Sequence, residues 1–187
     1  MKNVENYIEV YGGDKFCFDD ISKNEVDIKV IAHALSLQCR YAGHCKVFYS
    51  VAEHSVLMAD ALYESTGEAS VAFEALMHDA TEAYVTDIPR PMKAVLPDFK
   101  RMEDEVYKLI ADKFDLPPQI SELVKKADSQ IVKDERAQIM IESDNIWAVD
   151  DLDYLNVFID GLSPTSAERE FLSAFIFYDN LRKGKSL

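Results

Sequence analysis

The stretch ALMHDATEAYVTDIPRPMK, residues 75–93, combines residue types that bind metals with residue types that accept protons. His78 is followed directly by Asp79, and Glu82 comes four residues after His78, on the same face of a predicted helix. Such a His-Asp pair is either a solvated helix end or part of a metal site. Because the pair directly follows the apolar run FEALM, the metal site is favoured.

Two further candidate ligands lie on other predicted helices. His54 stands in VAEHS near the start of one helix, and Asp128 stands among apolar residues in another. If helices 51–66 and 68–85 pack antiparallel, His54 and His78 reach the same end of the pair. Two imidazoles and two carboxylates suit a borderline divalent metal such as Mn²⁺, Co²⁺, Fe²⁺ or Ni²⁺, with positions left for water or substrate. Such a metal lowers the pKa of bound water and polarises a phosphoryl oxygen.

A single histidine on an apolar helix is most often a core or boundary residue, and each of these residues alone allows that interpretation. Two histidines and two aspartates on three apolar-faced helices are harder to explain so, because burying polar groups without partners is unfavourable. His33, which has no partner motif, is interpreted as structural.

Helices must position these residues, since apolar residues recur at helical spacing along most of the chain. The predicted helices are 27–38, 51–66, 68–85, 99–114, 120–140 and 165–183. Residues 7–18 alternate around Gly12 and Gly13, which predicts a short β-hairpin, and residues 39–50 are predicted to form a loop. The fold class is therefore all-α.

We predict one compact helical domain over residues 1–187. Its core is placed at about 27–140, and a C-terminal irregular segment with a last helix occupies 141–187. Thr165 and Glu168 have the spacing of a capping box at the start of that helix.

Composition limits the partners. The net charge of −14, without any block rich in Lys and Arg, disfavours bulk nucleic acid. No apolar run approaches a membrane span, and the first residues lack the apolar region of a signal peptide. The three cysteines form no C-x-x-C pair, so we expect no disulfide framework and a cytoplasmic protein.

The ordered series AEHS, LMHDATEA and KKAD resembles the HD-domain metal-dependent phosphohydrolases, above all the small bacterial and phage 5′-deoxynucleotidase-like branch. RYAGH, FYSVAEHS, HDATEAYVTDIPRPMK and LPDFKRMEDE are similar to prophage-encoded members of that branch. The resemblance covers roughly residues 10–140, more weakly to the end. It implies an HD-domain helical bundle with one divalent metal per chain, chosen from Mn, Co, Fe, Ni, Mg and Zn. The implied ligands are His54, His78, Asp79 and Asp128.

The resemblance also implies three catalytic residues. Glu82 matches the acidic residue that orients or deprotonates the attacking water. Asp87 matches the aspartate that contacts the 3′-hydroxyl of the sugar, although a turn former before Ile88 and Pro89 is the alternative. Arg40 matches the arginine that grips phosphate, for which its fork of N–H donors is suited.

The remaining substrate contacts are expected from the loop and the cleft mouth. Tyr41 stands where well-studied members have a tryptophan that packs against the sugar and disfavours ribose. His44 is expected to reach the phosphate across the loop, and Lys93 to add positive potential at the mouth. Arg90 is interpreted as a surface cation.

The implied reaction is removal of phosphate from deoxynucleoside 5′-monophosphates, by metal-activated attack of water on the α-phosphorus. An alternative keeps the same metal site and releases triphosphate from deoxynucleoside triphosphates; cations near the metal, with Lys125 and Lys126 as candidates, would favour it. A third possibility is a non-catalytic metal-binding interaction module. The resemblance further implies a homo-oligomer, a dimer or higher, acting on a small-molecule deoxynucleotide.

Overall fold

A computed structural model describes residues 6–185, and its secondary structure is mostly helical. In chain order the elements are β1 (Tyr7–Glu9), β2 (Lys15–Cys17), α1 (Ile28–Leu37), α2 (Val51–Thr66), α3 (Ala69–Met77), α4 (Glu82–Val85), α5 (Arg90–Lys93), α6 (Pro97–Phe114), α7 (Glu122–Ile139) and α8 (Pro164–Arg182). The strands pair antiparallel, with Ile8 opposite Phe16. The prediction of an all-α fold with a small N-terminal hairpin is confirmed. Of the predicted domain 1–187, residues 1–5 and 186–187 lie outside the described part.

Short polar side chains determine where four of the helices begin. Asp27, Ser50, Ser121 and Ser163 cap α1, α2, α7 and α8, each accepting a hydrogen bond from a backbone N–H two or three residues later. Ser163 is the N-terminal cap of α8, a role that the sequence suggested for Thr165. Gly67, with φ of 72°, ends α2 as predicted.

The apolar core lies between α1, α2, α3 and α8, which pack against one another. Ile31, Met58, Phe73 and Phe171, one from each helix, are all at most 1% exposed. Phe171 belongs to the same buried cluster, so α8 contributes to the apolar core. No helix within residues 6–185 is long and apolar enough to cross a membrane.

The predicted single helix 68–85 is broken, which corrects that prediction. Hydrogen bonds from the N–H of Ala80 to the carbonyl of Met77, and from Glu82 to Asp79, tighten residues 78–81 into three-residue turns. In such turns, residues three apart lie one above the other. Glu82 is therefore aligned with Asp79, whereas continuous α-helical spacing had aligned it with His78.

The irregular segment before α8 is held by buried carboxylates. Glu53, 2% exposed on α2, accepts hydrogen bonds from the backbone N–H groups of Asp160, Gly161 and Leu162 at 2.8–3.1 Å. Residues 141–163 form no helix or strand, as predicted, so these bonds replace the missing regular pattern.

We expect Glu53→Ala to lower the free energy of unfolding by about 1–3 kcal/mol, because it leaves three partly buried backbone donors without their acceptor. Urea denaturation followed by circular dichroism measures this change. Glu64→Ala, an exposed glutamate on the same helix, is the control and should change stability little. Equal effects of the two variants would contradict the anchoring role of Glu53.

Candidate metal centre

Three predicted ligands meet where α2, the end of α3 and α7 come together. One potential ligand atom each from His54, His78 and Asp128 lies within 4.8 Å of the others, and this cluster could hold a metal ion. Oδ1 of Asp128 is 3.6 Å from Nε2 of His54 and 3.9 Å from Nε2 of His78. The fourth predicted ligand lies beside them, with Asp79 Oδ2 at 3.1 Å from Nε2 of His78 and 3.6 Å from Nε2 of His54.

The protein determines which nitrogen of each imidazole faces the cluster. Nδ1 of His78 is 2.7 Å from the carbonyl oxygen of Ala75, and Nδ1 of His54 is 2.7 Å from Oε1 of Glu135. Both oxygens accept, so each Nδ1 carries the proton and donates. In a neutral imidazole, Nε2 is then left with a free lone pair.

The two Nε2 atoms are buried and have no hydrogen-bond partner among the described residues. A buried polar atom without a partner costs about 1–3 kcal/mol, and here two such atoms point at the same place. Metal-binding histidines commonly donate the other ring N–H to a carboxylate or a backbone carbonyl, as both do here. The residues therefore fit a divalent metal.

The pKa values of His78 and Asp128 also indicate that the cluster favours a cation. Burial opposes a charge on His78, but the carboxylates of Asp79 and Asp128 outweigh it and raise its pKa well above the usual value. Burial likewise opposes ionisation of Asp128, yet the two imidazoles beside it hold its pKa well below the usual range. The site thus favours positive charge at its centre.

Glu82 begins α4 and is 3% exposed. Lys93 donates to its Oε1 at 3.2 Å, while Oε2 is buried and lacks a hydrogen-bond partner within residues 6–185. Burial, together with the charges of Asp79 and Asp87, raises the pKa of Glu82 well above its usual value. Lys93 also donates to Glu103 at 2.7 Å, so its charge is shared between two glutamates.

Arg40 and Tyr41 lie beside the cluster and are held by a residue that the sequence analysis missed. Nη1 of Arg40 is 3.4 Å from Asp79 Oδ2, and its Nε is 3.3 Å from Oε1 of Glu135. The Tyr41 hydroxyl donates to Glu135 as well. Burial opposes ionisation of Glu135, but Arg40 and His54 lower its pKa to about 2.

Of the two remaining predicted substrate residues, Asp87 is partly buried and His44 is exposed. Asp87 is half-buried after α4, and its backbone N–H donates to Oε1 of Gln38 at 3.0 Å. Burial raises the pKa of Asp87, and the charge of Arg40 partly opposes that rise. His44 is exposed in the middle of the loop, and among the described contacts its side chain has none with the cluster.

Two residues beside the cluster, Glu135 and Arg90, make contacts that the sequence analysis did not predict. Glu135 follows Asp128 by seven residues, about two helical turns, so both lie on one face of α7. That spacing is a signal that the sequence does contain. Arg90 is exposed, as expected of a surface cation, and its Nη2 also donates to Oδ2 of Asp128 at 2.5 Å.

A cavity of about 530 Å³ opens beside the cluster, between α6 and α7. His78, Asp79 and Asp128 form its inner end. Its walls carry four lysines: Lys93, Lys100, Lys108 and Lys125. Of the two cations that precede Asp128 in the sequence, Lys125 lines this cavity.

No family model matches the chain. The chain is similar to the uncharacterized protein YfdR of Escherichia coli (strain K12), with 40% identity over 180 residues that cover 95% of this chain and 98% of the relative. It is also similar to an uncharacterized protein of Rhodobacter capsulatus, with 28% identity over 145 residues, 71% of this chain and 74% of the relative. Neither name states an activity.

We expect His54→Ala and His78→Ala each to weaken binding of Mn²⁺ or Co²⁺ by more than about 100-fold, since loss of a ligand should exceed the 10–100-fold effect of outer residues. Titration calorimetry on purified protein measures this. His33→Ala is the matched control, because His33 stacks on Tyr11 and pairs with Glu168 instead. Unchanged affinity in His54→Ala or His78→Ala would place the metal elsewhere.

Proposed function

We propose that the chain, which belongs to the family of the uncharacterized protein YfdR, is a metal-dependent phosphohydrolase that removes phosphate from deoxynucleoside 5′-monophosphates. One observation carries the proposal. The unpaired Nε2 atoms of His54 and His78 converge beside two aspartates, next to a buried glutamate that has a free oxygen. The resemblance to HD-domain enzymes supplies the substrate class. We further propose that the protein acts in the cytoplasm on a small molecule, as a homo-oligomer.

Four residues would hold the metal: His54, His78, Asp79 and Asp128. Their two nitrogen and two oxygen donors suit Mn²⁺, Co²⁺, Fe²⁺ or Ni²⁺. When bound, such a metal supplies a Lewis acid for a phosphoryl oxygen and lowers the pKa of the water it coordinates.

Glu82 takes the role of general base in this proposal. Lys93 holds one carboxylate oxygen, so the other, Oε2, is left to accept a proton from the attacking water. Its raised pKa suits it to hold that proton. The lysine keeps the carboxylate in a fixed orientation during the transfer.

Arg40 and Asp87 are proposed to bind the two ends of the substrate. Arg40 has five N–H donors, of which those facing Asp79 and Glu135 are taken, and the remaining donors would contact the phosphate. Asp87 would accept a hydrogen bond from the 3′-hydroxyl. Tyr41 would pack beside the sugar.

The buried Glu82 also argues against a non-catalytic metal-binding module. A binding module has no use for an unpaired buried carboxylate oxygen beside the ligands, and such a group is destabilising. In a hydrolase, this oxygen of Glu82 would accept the proton of the attacking water.

The lysines of the cavity favour a second candidate, hydrolysis of deoxynucleoside triphosphates with release of triphosphate. Lys100, Lys108 and Lys125 lie along a cavity that begins at the proposed ligands, where additional phosphate groups would need cations. The carboxylates of Asp79, Glu103, Asp104 and Asp128 line the same cavity. The metal site would be the same in both reactions.

Product analysis tests both candidates. Protein with Mn²⁺ or Co²⁺ would be offered deoxynucleoside monophosphates, deoxynucleoside triphosphates and their ribose counterparts, with Asp79→Ala as control. Orthophosphate from the deoxy monophosphates is expected, and intact triphosphate from the triphosphates would support the second candidate instead. Metal binding without any hydrolysis would contradict both.

We expect Glu82→Gln to bind metal normally and to lower kcat by about 10²–10⁴-fold, the usual contribution of a general base. Steady-state kinetics and calorimetry on the same preparation separate the two effects. Glu105→Gln, an exposed glutamate of α6, is the control. An unchanged kcat in Glu82→Gln would remove Glu82 from the mechanism.

A further inference from the structure

Glu135 is completely buried on α7, and each of its carboxylate oxygens has two partners. Oε1 is 2.7 Å from Nδ1 of His54 and 3.3 Å from Nε of Arg40. Oε2 accepts from the Tyr41 hydroxyl and lies 3.4 Å from Nη2 of Arg40. An ionised carboxylate offers about four acceptor positions, and three of them accept hydrogen bonds here. The Nε of Arg40 adds an ion-pair contact without a hydrogen bond.

The partners of Glu135 come from two functional parts of the site. His54 is a proposed metal ligand on α2, whereas Arg40 and Tyr41 lie in the loop between α1 and α2 and are proposed to bind substrate. One carboxylate thus contacts both the metal side and the phosphate side.

The loop needs such a contact because its backbone is strained. Tyr41 and Ala42 have φ of 58° and 50°, in the left-handed region that residues with a Cβ rarely adopt. Strain of this kind persists only where surrounding interactions impose it. The bond from the Tyr41 hydroxyl to Glu135 is one of those interactions.

We propose that Glu135 is a positioning residue that fixes His54 relative to Arg40 and Tyr41. The metal and the phosphate would then be held at a fixed position relative to each other. This proposal rests on the proposed phosphohydrolase function. Glu135 touches neither metal nor substrate and acts through the residues that do.

The neighbouring Asp134 shows what a purely structural carboxylate does in the same helix. It is 4% exposed, and its oxygens accept from the backbone N–H groups of Leu155, Asn156 and Val157. All of the partners of Glu135, in contrast, are side chains of the predicted site. Asp134→Asn is therefore a matched control for Glu135→Gln.

Replacing Glu135 by glutamine keeps the size of the side chain and changes its hydrogen bonding. The amide oxygen still accepts from His54, but the amide nitrogen is a donor that faces Arg40, which has donors only. We expect metal affinity to fall about tenfold or more, as for other residues that orient ligands. We also expect kcat to fall more than KM rises, because a displaced Arg40 no longer meets the transition state.

The experiment measures four quantities for wild type, Glu135→Gln and Asp134→Asn. They are the Mn²⁺ dissociation constant, the affinity of the Mn²⁺-loaded protein for inorganic phosphate, the steady-state constants and the melting temperature. Glu135→Gln should weaken metal binding and alter phosphate binding by more than its fall in melting temperature explains, because a buried charge pair is also lost. Asp134→Asn should lower the melting temperature and leave both affinities unchanged.

Normal metal and phosphate affinity in Glu135→Gln would overturn the proposal, as would losses in both variants that only follow the melting temperature. If Glu135→Gln does not fold, Glu135→Asp takes its place; it keeps the charge but is too short to reach both sets of partners, and the same outcomes decide. A wild type that binds metal and phosphate but hydrolyses nothing would refute the proposed function. The two affinities would then still decide the role of Glu135.

Discussion

Two buried imidazoles, each already donating through Nδ1, form the constraint on which the rest of the site depends. Nδ1 of His78 bonds to the carbonyl of Ala75, and Nδ1 of His54 bonds to the carboxylate of Glu135. The lone pairs of the two Nε2 atoms are therefore left directed at one point. No described protein donor satisfies them. A divalent cation would, and the neighbouring aspartates would complete its ligands.

The cluster concentrates carboxylates and pairs each of its cations with them. Arg40 lies between Asp79 and Glu135, Lys93 between Glu82 and Glu103, and Arg90 against Asp128. The pairs with Lys93 and Arg90 fix one oxygen of Glu82 and one of Asp128, and the other oxygen of each carboxylate faces the site without a cation. The basic side chains therefore orient the acidic ones without neutralising the site. Positive charge at the centre is still favoured, which is the condition that metal binding requires.

Local signals predicted the helices well, and long-range contacts explain what was missed. Asp27 and Gly67 bound α1 and α2 as expected, since capping depends on neighbouring residues. The order of His54, His78, Asp79 and Asp128 predicted the cluster that α2, α3 and α7 assemble. The turn at 78–81 was missed because apolar spacing continues through it.

Glu135 was missed because its three partners lie more than eighty residues away in the sequence. The contact of Arg90 with Asp128 was missed because only the fold brings the two residues together.

The central claim is that the two Nε2 atoms share a metal, and anomalous diffraction tests it most directly. Crystals grown with Co²⁺ or Mn²⁺ would be measured at the absorption edge of the metal. The account predicts one anomalous peak within bonding distance of Nε2 of His54 and Nε2 of His78, with a carboxylate oxygen of Asp128 beside it. A structure in which metal binds elsewhere, while both Nε2 atoms bond only to Asp79 and Asp128, would contradict it.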